Sequence, residues 1–147
     1  MPGGLSTTPP CKKGRCFMSS KKYLEVQRWI NKAKSDLRVA RMAFNDSVPE
    51  YSLACYLSQQ CAEKSLKALL IWLDIRFLYK HQLDYLVELL PPDYQRLFEE
   101  MDIEWLSDWV AEGRYPGDYP EPTRDDAQKA INMAEKIFTL ANEILVL

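Results

Sequence analysis

Apolar residues recur along this chain at helical spacing, and no segment alternates with period two for long enough to make a strand. Over roughly residues 21–45, Val26, Ile30, Ala33, Leu37, Ala40 and Phe44 follow one another at steps of four, three, four, three and four. That spacing lays them on a single stripe of a first helix, with Lys and Arg on the other faces. Ser47-Val48-Pro49-Glu50 reads as a capping box, with Ser47 as N-cap and Glu50 reaching back. It would open a second helix that runs to about Asp74. The stripe of that helix (Ala54, Leu57, Cys61, Ser65, Ala68, Trp72) is joined on other faces by Leu53, Leu66, Leu69, Leu70 and Leu73. A helix so apolar in its second half is expected at the centre, covered by several neighbours.

A third helix, about 81–90, groups Leu83, Leu86, Val87 and Leu90 and stops at Pro91-Pro92. A fourth, about 93–112, carries Leu97, Phe98, Met101, Trp105, Leu106 and Trp109, with a break near Asp102 and Gly113 as its left-handed stop. Thr123-Arg124-Asp125-Asp126 starts a fifth, with Thr123 as N-cap and carboxylates in the first turn. Its stripe is the cleanest in the chain: Ala127, Ala130, Ile131, Ala134, Ile137, Phe138, Ala141, Ile144 and Leu145. The pattern predicts an all-α protein, an antiparallel up-down bundle of four to five helices with short connections. Residues 1–20 have no periodicity and are rich in coil formers, so they are expected to be a disordered tail before a domain at 21–147. Met18-Ser19-Ser20 would also serve as a start, which makes an over-extended start or a cloning remnant one reading of that tail.

With 47% hydrophobic residues in 147 positions, the chain can build one core. The net charge of −2 hides an asymmetry: residues 1–45 hold ten Lys/Arg and two Asp/Glu, and the remainder nine and nineteen. A basic first helix points either to an acidic partner such as RNA or to acidic surfaces within the same bundle or dimer. The longest apolar run, Ala68 to Leu73, falls far short of the ~20 residues of a membrane span, and no secretory signal is evident. A cytoplasmic location is therefore expected. Cys55 and Cys61 lie six apart on one predicted helix and point to different faces, so reduced thiols are expected. Cys11 and Cys16 supply two of the about four ligands a metal knuckle needs, so no metal and no cofactor is expected.

The run Gln59-Gln60-Cys61-Ala62-Glu63-Lys64-Ser65-Leu66-Lys67-Ala68-Leu69-Leu70 resembles the second-helix signature of HEPN domains. Around it, in order, stand Asp36-Leu37 with Ala40, then His81 with Leu83 and Leu86, then Gly113-Arg114-Tyr115-Pro116 before the last amphipathic helix. The resemblance covers about residues 20–147. It implies a helical bundle that pairs as a homodimer, often encoded beside a minimal nucleotidyltransferase in a toxin–antitoxin-like pair. Many HEPN domains are metal-independent endoribonucleases that use an Arg followed four to six residues later by a His.

Arg114 matches the Arg of that motif, and a guanidinium grips phosphate oxygens in a bidentate way. The matching His positions hold Tyr119, Pro120 and Glu121, none of them an imidazole. Tyrosine, with an ordinary pKa near 10, is a poor base at neutral pH. Arg114 is thus a candidate catalytic residue without an evident proton acceptor, and the missing His favours binding over catalysis. Candidate nucleotide- or RNA-binding residues are Arg114, Tyr115 and Tyr119, with Lys64 and Lys67 flanking a polar groove. The plainer readings are an Arg114 that caps the fourth helix or pairs with Asp118, and a Glu63–Lys67 pair on a solvated helix face. His81, the chain's only histidine, reads first as a packed or helix-end residue. Three functions stay open: a nucleotide- or RNA-binding homodimer that partners a minimal nucleotidyltransferase, an endoribonuclease toxin in which another residue replaces the missing His, and a structural dimerisation bundle.

Overall fold

A computed structural model describes residues 20–110 and 120–145 of the chain. Within them, six α-helices and two 3-10 turns follow one another without a strand. Three helices are long: α1 (Ser20–Asn45), α2 (Tyr51–Trp72) and α6 (Arg124–Leu145). Between α2 and α6 run the short helices α3 (Leu83–Glu88), α4 (Pro92–Gln95) and α5 (Ile103–Ser107), with 3-10 turns at Arg96–Phe98 and Asp108–Val110.

The direction of each long helix can be read from its end contacts. Lys22, at the start of α1, pairs with Asp74, just past the end of α2, at 2.6 Å. Arg124, at the start of α6, lies 4.9 Å over the ring of Phe44, at the end of α1. Helices α2 and α6 are therefore both antiparallel to α1, and the short helices carry the chain back between them. The expected up-down arrangement is present.

The apolar stripes meet as predicted. All six stripe residues of α1 are buried, as are Ala127, Ala130, Ile131, Ala134, Ile137, Ala141 and Leu145 of α6. Helix α2 is central, touching α1, α3, α5 and α6, with Leu66, Ala68, Leu69 and Leu70 wholly shielded. Full burial of a Leu or Ile side chain contributes about 1.5–3 kcal/mol, so this seam supplies most of the driving force for the fold. No helix among the described residues is long and apolar enough to cross a membrane.

Three local expectations are corrected. The second helix begins at Tyr51, with Glu50 rather than Ser47 at the N-cap and no side-chain cap bond. Asp46 takes the Val48 N–H instead, and the Glu50 N–H donates to the Ala43 carbonyl at 3.0 Å, closing the connection to α1. The third helix starts two residues late because Gln82 is extended (φ −71°, ψ 120°). The predicted fourth helix is a series of short pieces, broken at Asp102 (φ −81°, ψ 68°) as anticipated but also tightened into 3-10 turns around Phe98 and after Ser107. By contrast, the start of α6 is a reciprocal cap: Thr123 Oγ1 accepts the Asp126 N–H, and the Asp126 carboxylate accepts the Thr123 N–H.

Candidate site: a buried polar ladder beneath His81

Along α2 the residues Gln59, Glu63 and Lys67 recur every four positions and so share one face. That face is turned inward: Gln59 is 0%, Glu63 5% and Lys67 3% exposed. The reading of Glu63 and Lys67 as a solvated surface pair is thereby overturned. Lys67 Nζ lies 2.8 Å from Glu63 Oε2 and sits between the rings of Trp29, Phe77 and Tyr79, each 5.7–5.8 Å from it. The half-buried rings of Trp29 and Phe77, together with a carboxylate, replace the water that a lysine at the surface would keep.

The segment that covers this face is launched by the end of α2. There the Ile75 N–H bonds the Leu70 carbonyl and the Asp74 N–H bonds the Ile71 carbonyl, the two bonds of a Schellman stop. Asp74 takes the left-handed position (φ 61°) where glycine is usual. From it the chain returns across α2 through Phe77 and Tyr79 to His81.

His81 is held there from two sides. Gln59 Nε2 donates to its backbone carbonyl at 2.9 Å, and Nδ1 of its ring lies 3.2 and 3.3 Å from the two Glu63 oxygens. Gln60 Nε2 also donates to Glu63, at 3.2 Å, and to Gln59 Oε1 at 2.8 Å. The ladder ends at Lys64, which reaches Gln60 at 3.4 Å and pairs with Asp36 of α1. Below His81, the buried Leu83 N–H donates to Ser107 Oγ at 2.8 Å, tying α3 to α5.

Of the residues singled out in the sequence, Lys64 and Lys67 belong to this ladder, the first partly exposed and the second enclosed. Arg114, Tyr115 and Tyr119 lie outside the described residues, as does Gly113. The pairing of Glu63 with His81 was not anticipated. The two stand eighteen residues apart, and only the return of the chain across α2 joins them. The signal that was available is the one histidine placed just after Arg76, Tyr79 and Lys80, all of them exposed.

Neither described cysteine offers reactive chemistry. Burial, aided by the nearby Asp126, pushes the Cys55 thiol up to about 12. Burial likewise pushes Cys61 up to about 12, with smaller contributions from its neighbours. An open groove of about 910 Å³ runs along α6 beside Met101, Lys129 and Glu143, away from the ladder. Two of its carboxylates are already engaged, Asp102 by Lys129 and Glu135 by Arg41.

The family model of the HEPN domain matches residues 26–144. No curated protein matches the chain. Among solved structures, TT1696 from Thermus thermophilus is similar with a TM-score of 0.68 and 27% identity, over 81% of this chain and 97% of that one. ST0689, an archaeal HEPN homologue, is similar with a TM-score of 0.61 and 33% identity, over 82% of this chain and 97% of its own. The match spans most of α1, all of α2, the segment bearing His81 and nearly all of α6, and the chain belongs to the HEPN domain family.

Proposed function

We propose that the chain is a nucleotide- or RNA-binding module that acts as a homodimer and partners a minimal nucleotidyltransferase in a toxin–antitoxin-like pair. The observation that carries the binding part is the ladder itself. A buried Glu63–Lys67 pair and two glutamines fix one segment, and that segment presents Arg76, Tyr79, Lys80 and His81, all exposed, with Tyr79 90% accessible. An exposed aromatic face offers a stacking surface to a base, and cations beside it suit a phosphate backbone. Arg28 and Lys32 are also exposed, one turn apart on α1 and on either side of Trp29 in the sequence. Arg114, by its match to the family motif, adds a phosphate-gripping cation, and Tyr115 and Tyr119 beside it in the sequence add two aromatic rings.

The test is binding of a fluorescent single-stranded RNA at low salt, followed by anisotropy. The expected result is that wild-type protein binds, that affinity falls steeply as salt is raised, and that Tyr79→Ala and Arg114→Ala each weaken binding about tenfold. The expected sedimentation result is a dimer, and a nucleotidyltransferase encoded beside the gene is expected to co-purify with it. RNA affinity unaffected by both substitutions would refute the binding reading, and a monomer at high concentration would refute the dimer.

A further inference from the structure

The groove along α6 differs in chemistry from the face that bears His81. Met133 lies buried in it, with the half-buried Met101 and Leu140 beside it, so its inner surface is apolar. Its rim is acidic, for five carboxylates and two lysines line it. Lys129 holds Asp102 at 3.3 Å, and Arg41 of α1 holds Glu135 at 2.9 Å. Lys129 is also pinned 4.0 Å over the ring of Trp105, which keeps it from swinging across the groove. Glu100, Asp125 and Glu143 are left without an ion pair among the described residues, and only Lys136 of the lining stands against them. From Asp125 to Glu143 the groove follows α6 for about 27 Å, roughly five helical turns.

Those carboxylates alone would suit any cation, and the methionines narrow the choice. An anionic rim repels a phosphate backbone, so this is no second track for RNA. An apolar surface between carboxylates suits a segment with apolar knobs on one side and cations along its flanks. Methionine, unbranched and flexible, moulds itself around such knobs. The described residues form no strand, so an extended peptide would find no sheet edge here for its backbone. A helix satisfies its own N–H and C=O groups and needs no such edge. The outward face of α1 from a second copy is basic but lacks the knobs: between Leu24 and Met42 every exposed position is polar.

We propose that the α6 groove docks an amphipathic, basic helix of a partner protein. Its apolar side packs on Met101, Met133 and Leu140, and its Lys or Arg side chains meet Glu100, Asp125 and Glu143. The groove lies away from the ladder, and the proposal stands independently of the RNA-binding reading.

The experiment uses the full chain and a labelled synthetic peptide of about eighteen residues, with Leu and Lys placed at helical spacing. Beside it run a scrambled peptide of the same composition and one with Glu in place of each Lys. Anisotropy reads binding, and amide shifts in NMR spectra of the protein locate the contact. The expected result is saturable binding of the first peptide, binding of the scrambled one weaker by about tenfold or more, and none of the Glu peptide. Amide shifts concentrate at Met101 and along residues 125–143. Glu100→Lys/Glu143→Lys weakens binding by about tenfold or more with the melting temperature unchanged. Equal binding of the scrambled peptide overturns the proposal, since charge alone then explains it. So do shifts centred on α1 or on the segment before α3, binding that the double variant leaves intact, or no binding at all. Peptide that binds only by breaking up a dimer of the chain gives the groove to a second copy and overturns the proposal too, as does displacement of the peptide by single-stranded RNA. The shift map, taken on the wild-type chain, decides even where the double variant is destabilised.

Discussion

Lys67 Nζ stands 2.8 Å from Glu63 Oε2 with both side chains almost wholly shielded from solvent, their exposures being 4% and 6%. Lys67→Ala leaves Glu63 as a buried charge without its counter-ion and is expected to destabilise the protein by about 3–5 kcal/mol. A solvated pair at the same spacing would contribute less than about 1 kcal/mol. Urea unfolding separates the two cases. The double variant Glu63→Leu/Lys67→Met, which removes both charges, is expected to recover most of the loss.

Ser107 is the acceptor for the buried Leu83 N–H at 2.8 Å. Ser107→Ala orphans that donor and is expected to cost about 1–3 kcal/mol. Amide exchange at Leu83 should speed up more than at neighbouring amides of α3. If the Leu83 amide stays as protected as before, the hydroxyl is not what holds α3 to α5.

Asp74 ends α2 with φ at 61°. A β-branched residue suffers there, where the left-handed conformation costs roughly 1–2 kcal/mol, whereas glycine does not. Asp74→Val is expected to lower the melting temperature and Asp74→Gly to leave it nearly unchanged. The lost ion pair to Lys22 contributes little, because Asp74 is 78% exposed. The reverse order of melting temperatures would contradict the left-handed stop.

The buried thiols of Cys55 and Cys61 make stability depend on alkaline pH. Each ionises near 9.0 when unfolded and is pushed up to about 12 in the fold, chiefly by burial. Between those values the unfolded chain has released protons that the folded one retains, so stability is full below about pH 9 and falls as pH rises towards 12. Denaturant midpoints measured across this alkaline range should decline, and less so in Cys55→Ala/Cys61→Ala. In the native protein a thiol reagent should label these two cysteines only as fast as the chain opens.

The long helices were legible because their information is local. A stripe such as Ala127 to Leu145 at steps of three and four has one solution, a helix with one buried face, whatever it packs against. The cap at Thr123 and Asp126 was half read for the same reason, since its partners lie three residues apart. The expected cap at Ser47 failed because the donor it needed, the Glu50 N–H, bonds the Ala43 carbonyl instead. The fourth helix was read as continuous apart from Asp102 because Leu97, Phe98, Met101, Trp105 and Trp109 keep helical spacing even across the tightened turns. Periodicity registers which residues are apolar, not where the backbone departs from 3.6 residues per turn.

The sequence by itself determined an all-helical bundle with α2 at its centre and the family to which the chain belongs, since stripes and ordered motifs are properties of neighbouring residues. Only the tertiary structure decided that Glu63 and Lys67 lie inside and that His81 leans on them. Burial is a property of what covers a helix face. Here the cover is Trp29 from α1 and Phe77 from the returning segment, far away in the chain and adjacent in space.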